Sequence, residues 1–272
     1  MRRKKERQFH KITEVIHTYK HNAHGKKGEN FLAQWVDFCR RICYNTGMTD
    51  YFAGIRGGGT GDKFSAFYAL LSEYNQKINL TRITGREECD VKHFYDSLLG
   101  EKYFPQGASC LEVGSGGGFP SIPLLIWRPD LSFVLVESVG KKCAFLEKAV
   151  AELGLNARVV NGRAEELARL PGYREKFEVC CARAVARLNT LAEYCVPFVQ
   201  KGGVFVAYKG DAAEEIGEAA NAFRVLGCRL QSAERFELPE GAGERTIVVA
   251  EKIAPTPAAY PRGRGRERSK PL

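Results

Sequence analysis

The sequence predicts an α/β protein: a mostly parallel sheet covered by helices on both faces, with antiparallel strands at one edge. Three observations predict it. From residue 109 onward, short apolar segments alternate with stretches of helical spacing. The first apolar segment runs directly into a glycine-rich turn, Gly114-Ser115-Gly116-Gly117-Gly118. The last two are joined by Pro239-Glu240-Gly241-Ala242-Gly243, a loop too short for a crossover helix.

Taken in order, residues 1–61 form an extension of low pattern content. Phe31 to Cys39 has helical apolar spacing, and Gly57-Gly58-Gly59-Thr60-Gly61 reads as a flexible linker. A helical lead-in over 62–108 follows. Phe64, Phe67, Leu70, Leu71, Tyr74 and Ile78 recur at three- and four-residue steps, and a second helix is expected from about Arg86 to Leu99. Within 109–253, strands are expected at 109–113, 132–137, 157–161, 177–182, 203–208, 229–236 and 245–252. Helices are expected at about 119–128, 140–153, 164–170, 189–200 and 212–226. The tail from Ala254 carries prolines at 255, 257, 261 and 271 among glycines and arginines, and is expected to be extended and mobile.

The chain of 272 residues has a net charge of +9, concentrated at Met1 to Lys5 and Arg262 to Lys270. Basic ends around a mixed-charge middle suit a polyanion such as nucleic acid. No apolar run reaches the length of a membrane span, and no signal-peptide core follows the basic start, so a cytoplasmic protein is expected. Nine cysteines give no disulfide framework. Cys110, Cys143, Cys180, Cys181 and Cys195 lie in apolar segments, as buried thiols do. Cys39 and Cys43, one helical turn apart, lack a second ligand pair. No metal is expected.

The chemistry lies in the segment around the glycine turn. Alternate glycines let the backbone approach a ligand where a Cβ would collide. Glu137 ends the next apolar strand, where a carboxylate can accept hydrogen bonds from both ribose hydroxyls. Together they predict a nucleoside-bearing cofactor at the sheet edge. The spacing Gly-x-Gly-x-Gly, followed by Phe119-Pro120, differs from the Gly-x-Gly-x-x-Gly that cradles a pyrophosphate. It resembles the first motif of the class I S-adenosylmethionine (SAM) methyltransferases, whose fold is a Rossmann-like, seven-stranded sheet with an antiparallel edge.

Further motifs narrow the resemblance. They are Asn79-Leu80-Thr81, His93-Phe94-Tyr95-Asp96-Ser97-Leu98, Leu111 to Pro120, Glu137-Ser138-Val139-Gly140-Lys141-Lys142, Asn161-Gly162-Arg163-Ala164-Glu165, Ala182-Arg183-Ala184-Val185-Ala186 and Lys209-Gly210. Over about residues 62–253 the chain resembles the bacterial small-subunit ribosomal RNA guanine-N7 methyltransferases, the RsmG (formerly GidB) family. The family pattern has alanine at 117, glycine at 121 and serine at 182, where this chain has Gly117, Ser121 and Ala182.

The resemblance implies methyl transfer from SAM to N7 of a guanine in the decoding-region loop of 16S rRNA, by a monomer acting on rRNA, a small subunit or an assembly intermediate. Guanine N7 offers an in-plane lone pair and no proton, so no general base is required. Gly114, Gly116, Gly118, Phe119, Glu137, Ala164, Glu165 and Arg183 are the expected cofactor residues. Lys141, Arg163, Arg183, Lys209 and Arg245 are expected to form a cationic rim at the carboxyl edge of the sheet, with Asn79 and His93 near the substrate opening. Two alternatives share the fold: a SAM-dependent methylase of a small molecule or protein, and a non-catalytic RNA-binding assembly factor.

Overall fold

The computed structural model describes residues 51–272. Its centre is a seven-stranded sheet in the order β3-β2-β1-β4-β5-β7-β6. The strands are β1 Ser109–Val113, β2 Ser132–Glu137, β3 Ala157–Asn161, β4 Phe177–Arg183, β5 Val199–Lys209, β6 Cys228–Glu237 and β7 Glu244–Lys252. The first five pair in parallel. β7 enters antiparallel between β5 and β6, with Lys209 opposite Thr246. Its first residues therefore lie at the same edge as the carboxyl ends of β1 to β5. Chain order reverses between β1 and β4, and ligands of open α/β sheets bind in the crevice at such a point.

Parallel strands covered on both faces need continuous apolar runs, and β1, β2 and β4 have them, whereas β3 at the edge is only partly buried. On one face Leu111, Val113, Val134, Val136, Cys180 and Ala182 pack beneath the helix α6 Leu188–Cys195. On the other lie α1 Gly58–Ile78 and α3 Ser121–Trp127, with Phe64, Phe67 and Phe94 in one aromatic cluster against Phe119. The seven described cysteines are all buried and unpaired; Cys39 and Cys43 lie outside the described residues. Among the described residues, no helix is long and apolar enough to cross a membrane, and no cluster of three or more His, Cys, Asp or Glu could hold a metal.

Three features differ from expectation. The glycine run read as a linker forms the first turn of α1, where a Cβ on Gly61 would meet the backbone of Arg56 at 2.9 Å. Residues 51–56 before it are helical and packed: Ile55 is fully buried, Phe52 stacks on Tyr95 and Arg56 pairs with buried Asp90 at 2.9 Å. A chain beginning at residue 62 should accordingly lose at least about 3 kcal/mol of unfolding free energy against one beginning at 51. Equal urea midpoints for the two would contradict this packing.

The second helix, α2, spans 86–98, and its middle, Asp90–Tyr95, widens to π geometry. Such a bulge shifts the helical register within and after it; His93 lies inside it and Asp96 directly follows.

The third difference is the tail. It is anchored, and Arg266–Ser269 form a short helical turn. Thr256 is buried, accepts a hydrogen bond from Lys252 Nζ at 2.5 Å, and donates its own N–H to Glu175 at 2.7 Å. Further along, Arg262 closes on Glu193 of α6, which is fully buried. Glycine and proline content describes only the local chain; long-range ion pairs set whether a segment moves.

Candidate functional site

The glycine turn sits at the carboxyl end of β1. Gly114, Gly116 and Gly118 take φ of 72°, 53° and 83°, the left-handed region that other residues enter only at a cost. Gly114 N–H donates to Val136 O at 2.8 Å, stitching the turn to β2. A Cβ on Gly114 would lie 2.8 Å from Val185 Cγ2, and one on Gly118 would lie 2.4 Å from Ile122 Cδ1. One glycine thus admits the loop after β4 and the other admits α3.

Beside the turn opens a cavity of about 880 Å³, within the ordinary range for a cofactor-sized ligand. Val113, Gly114 and Val136 line it from the sheet, Ala164 and Glu165 from α5 Ala164–Leu167, and Val185 from the β4 loop. Val113, Val136, Ala164 and Val185 give the cavity one apolar side next to Gly114, which suits a purine base. Glu137 ends β2 as a buried carboxylate, with Oε2 accepting Gly116 N–H at 3.0 Å and Oε1 accepting Val139 N–H at 2.9 Å. Each oxygen keeps lone-pair capacity for a ribose hydroxyl. The residues present therefore fit SAM, with the glycine turn and Glu137 to hold it and an apolar slot for its base.

Gly116, Gly118, Phe119, Glu137 and Arg183 are not among the cavity-lining residues. Phe119 turns away to a second cluster. His93 stacks on it with ring centres 4.2 Å apart, and the Arg183 guanidinium lies 4.8 Å from its centroid. Arg183 Nη1 donates to Asp96 Oδ2 at 2.9 Å, and Arg245 Nε donates to Asp96 Oδ1 at 3.0 Å. Asp96 is 1% exposed, so one buried carboxylate holds two guanidiniums. His93 Nδ1 lies 3.1 Å from Arg183 Nη2, and Nε2 lies 2.7 Å from Thr81 Oγ1. Burial first, then the Arg183 charge, lowers the His93 pKa to about 3, so its ring is neutral at pH 7.

The other expected rim cations separate into two groups. Lys209 is not free: Nζ contacts Glu215 at 2.8 Å and donates to Ala186 O at 3.0 Å. That second bond fixes the loop bearing Ala184, whose φ of 55° is left-handed. Lys141 and Arg163 are exposed and have no side-chain partner among the described residues. Arg163 lines the cavity, whereas Lys141 does not. Asn79 is the left-handed C-cap of α1, with φ 46°.

Sequence reasoning missed Asp96. It stands three residues after His93, the spacing that puts two side chains on one helix face, and that was the available signal. It also missed Glu112, which is fully buried on β1 with its Oε2 accepting from Ser121 Oγ at 2.5 Å and its Oε1 without a partner among the described residues. Ser121, a departure from the family pattern, thus satisfies half of a buried acid. Burial, only partly offset by Ser121, pushes the Glu112 pKa from 4.5 to about 7. A carboxyl whose pKa is raised by folding favours the folded state fully below its unfolded pKa. Its contribution falls as pH climbs from about 4.5 to about 7. Glu112→Gln should therefore gain stability over the parent across that window, on the order of 3 kcal/mol by its upper end. Urea unfolding at both ends checks this; a difference independent of pH would contradict it.

A seven-stranded sheet of this order, with a glycine turn after β1 and an acid closing β2, defines a class I SAM-dependent methyltransferase. Solved structures share the fold: cofactor-bound Rv0187 from MTB (TM-score 0.51, 19% identity, 75% of this chain and 95% of that one), and M. jannaschii TYW2 in complex with AdoMet (TM-score 0.50, 12% identity, 65% and 81%). The family model for rRNA small subunit methyltransferase G (GidB) matches residues 60–247, and the chain belongs to that family. Two relatives carry the name ribosomal RNA small subunit methyltransferase G. The one from Brevibacillus brevis is 47% identical over 215 residues, 78% of this chain and 90% of that protein. The one from Moorella thermoacetica is 45% identical over 211 residues, 76% and 88%.

Proposed function

We propose that this protein methylates N7 of a guanine in the decoding-region loop of 16S rRNA, in the cytoplasm, using SAM. The observation that carries the reading is the family match over residues 60–247, which spans the glycine turn, Glu137 and the sheet side of the cavity beside them. When bound, SAM supplies a methyl group on a sulfonium; the N7 lone pair forms the new bond to carbon as the carbon–sulfur bond breaks toward sulfur. No proton is transferred, which suits a site whose one histidine is neutral and stacked rather than poised as a base.

The residues then do positional work. Gly114, Gly116 and Gly118 let the backbone approach the donor, and Glu137 accepts from the ribose. Ala164 and Glu165 flank the base. Phe119, with His93 and Arg183 stacked on it, forms a rigid block behind the turn. Arg183 and Arg245 share Asp96, so the three carry one net positive charge and act by holding shape. Lys209 is neutralised by Glu215. Within the expected rim, Lys141 and Arg163 are the cations open to phosphate. Asn79, capping α1 at the domain surface, borders the approach to the site.

The test is to incubate the protein with methyl-labelled SAM and small subunits lacking the modification, then map the label. Label on one 16S guanine at N7 supports the reading. Transfer only to other molecules indicates the small-molecule or protein methylase, and rRNA retention without transfer indicates the assembly factor.

A further inference from the structure

The wall of the cavity opposite β2 is built by the C-terminal tail. Residues 262–266 and Arg268 line it, together with Arg163 and Arg169. The family match stops at residue 247, short of this segment.

The tail is held there by side chains of the folded domain. Glu193 is fully buried on α6 and receives the Arg262 backbone N–H at 2.8 Å and its Nη2 at 2.6 Å. Arg174 donates to the carbonyls of Thr256 at 2.8 Å and Tyr260 at 2.9 Å. Thr190 of α6 donates to Glu267 O at 2.9 Å, and the Glu267 carboxylate folds back onto Gly263 N–H. These contacts fix both sides of the sequence Arg262-Gly263-Arg264-Gly265-Arg266. Within it Arg264 is held at φ 58° between two left-handed glycines. An arginine kept in that conformation is strained by about 1–2 kcal/mol.

The tail side of the cavity carries more positive charge than the cofactor can use. Six arginines and two glutamates line the cavity. SAM has a single carboxylate beside its sulfonium and ammonium, so it can pair with at most one of these guanidiniums. Arg262 is consumed by Glu193, and Arg169 by the carbonyls of Ala259 and Pro261. Arg163, Arg264 and Arg266 are exposed and have no side-chain partner among the described residues. An anchored row of unpaired guanidiniums beside a methyl-donor pocket fits a chain of phosphodiesters.

Resting on the rRNA reading above, we infer that Arg264 and Arg266 of the anchored tail, with Arg163, bind backbone phosphates of the RNA substrate at the mouth of the cavity. This assigns phosphate recognition to the tail instead of to Arg183, Lys209 and Arg245, whose charges are met internally.

The experiment uses the full chain and transcribed 16S rRNA, with affinity measured across a salt series. R264Q/R266Q should bind RNA on the order of tenfold more weakly and lower the salt slope by about one to one and a half. K176Q/K201Q, which removes two exposed cations near the amino ends of β4 and β5, should match the parent. S-adenosylhomocysteine affinity, read by calorimetry, should be unchanged in both. RNA affinity and slope equal to the parent in R264Q/R266Q would overturn the inference, as would an equal loss in K176Q/K201Q. A parallel loss of S-adenosylhomocysteine affinity would also overturn it, since the arginines would then serve the cofactor. Failure of the parent itself to bind 16S rRNA would instead remove the rRNA reading.

Discussion

Gly114→Val is expected to weaken SAM binding by at least about a hundredfold while leaving a folded protein. Valine is β-branched and poorly tolerated at φ 72°, and its Cβ alone would lie 2.8 Å from Val185 Cγ2. Val185 is itself part of the cavity wall, so relief of the clash moves either the turn or the wall. Both movements close space that the donor needs. Gly118→Ala separates this effect from general damage. Its Cβ would meet Ile122 at the start of α3, so it should cost stability first. Calorimetric affinity beside a thermal melt checks the pair. A Gly114→Val protein with parental affinity would show that the turn does not bound the cofactor.

Asp96→Ala is expected to destabilise the protein by about 3–5 kcal/mol, the cost of leaving buried charge unpaired. Two guanidiniums converge on this carboxylate, and both are partly buried, at 13% and 26% exposed. The loss should shrink when Arg245 is already alanine, because one of the stranded charges is then gone. Urea unfolding of the four proteins in the cycle measures it. A single-variant loss under about 1 kcal/mol, or strict additivity with Arg245→Ala, would mean that Asp96 does not organise the arginines.

The legible parts of the fold were those set over short distances. The strands could be located because β1, β2, β4, β5 and β7 carry apolar runs and because turn residues bound the more polar β3 and β6. The glycine turn could be located because its left-handed backbone needs glycine at alternate positions. The helix and strand flanking Gly114 are fixed within a dozen residues of it. What the sequence did not display is pairing between distant groups. Arg245 meets Asp96 across 149 positions, and Arg262 meets Glu193 across 69. Read singly, Arg183, Lys209 and Arg245 are surface cations. In the folded chain each faces a carboxylate, so their charge is largely spent on structure.

The tail shows the same limit from the other side. A run of proline, glycine and arginine carries no apolar period, and periodicity is what marks packed segments. Its order comes from buried acceptors such as Glu193 and from Lys252 and Glu175 around Thr256. None of these could be matched to the tail before the sheet brought them together. The Gly57–Gly61 segment is a related case: its glycines permit close packing of α1 against the preceding helical turn rather than free movement.

The most direct measurement is calorimetric titration of the full chain with S-adenosylhomocysteine. One saturable site per chain, lost in Gly114→Val, is the predicted result. An absence of binding heat at any concentration reached, confirmed by equilibrium dialysis with labelled SAM, would contradict the account.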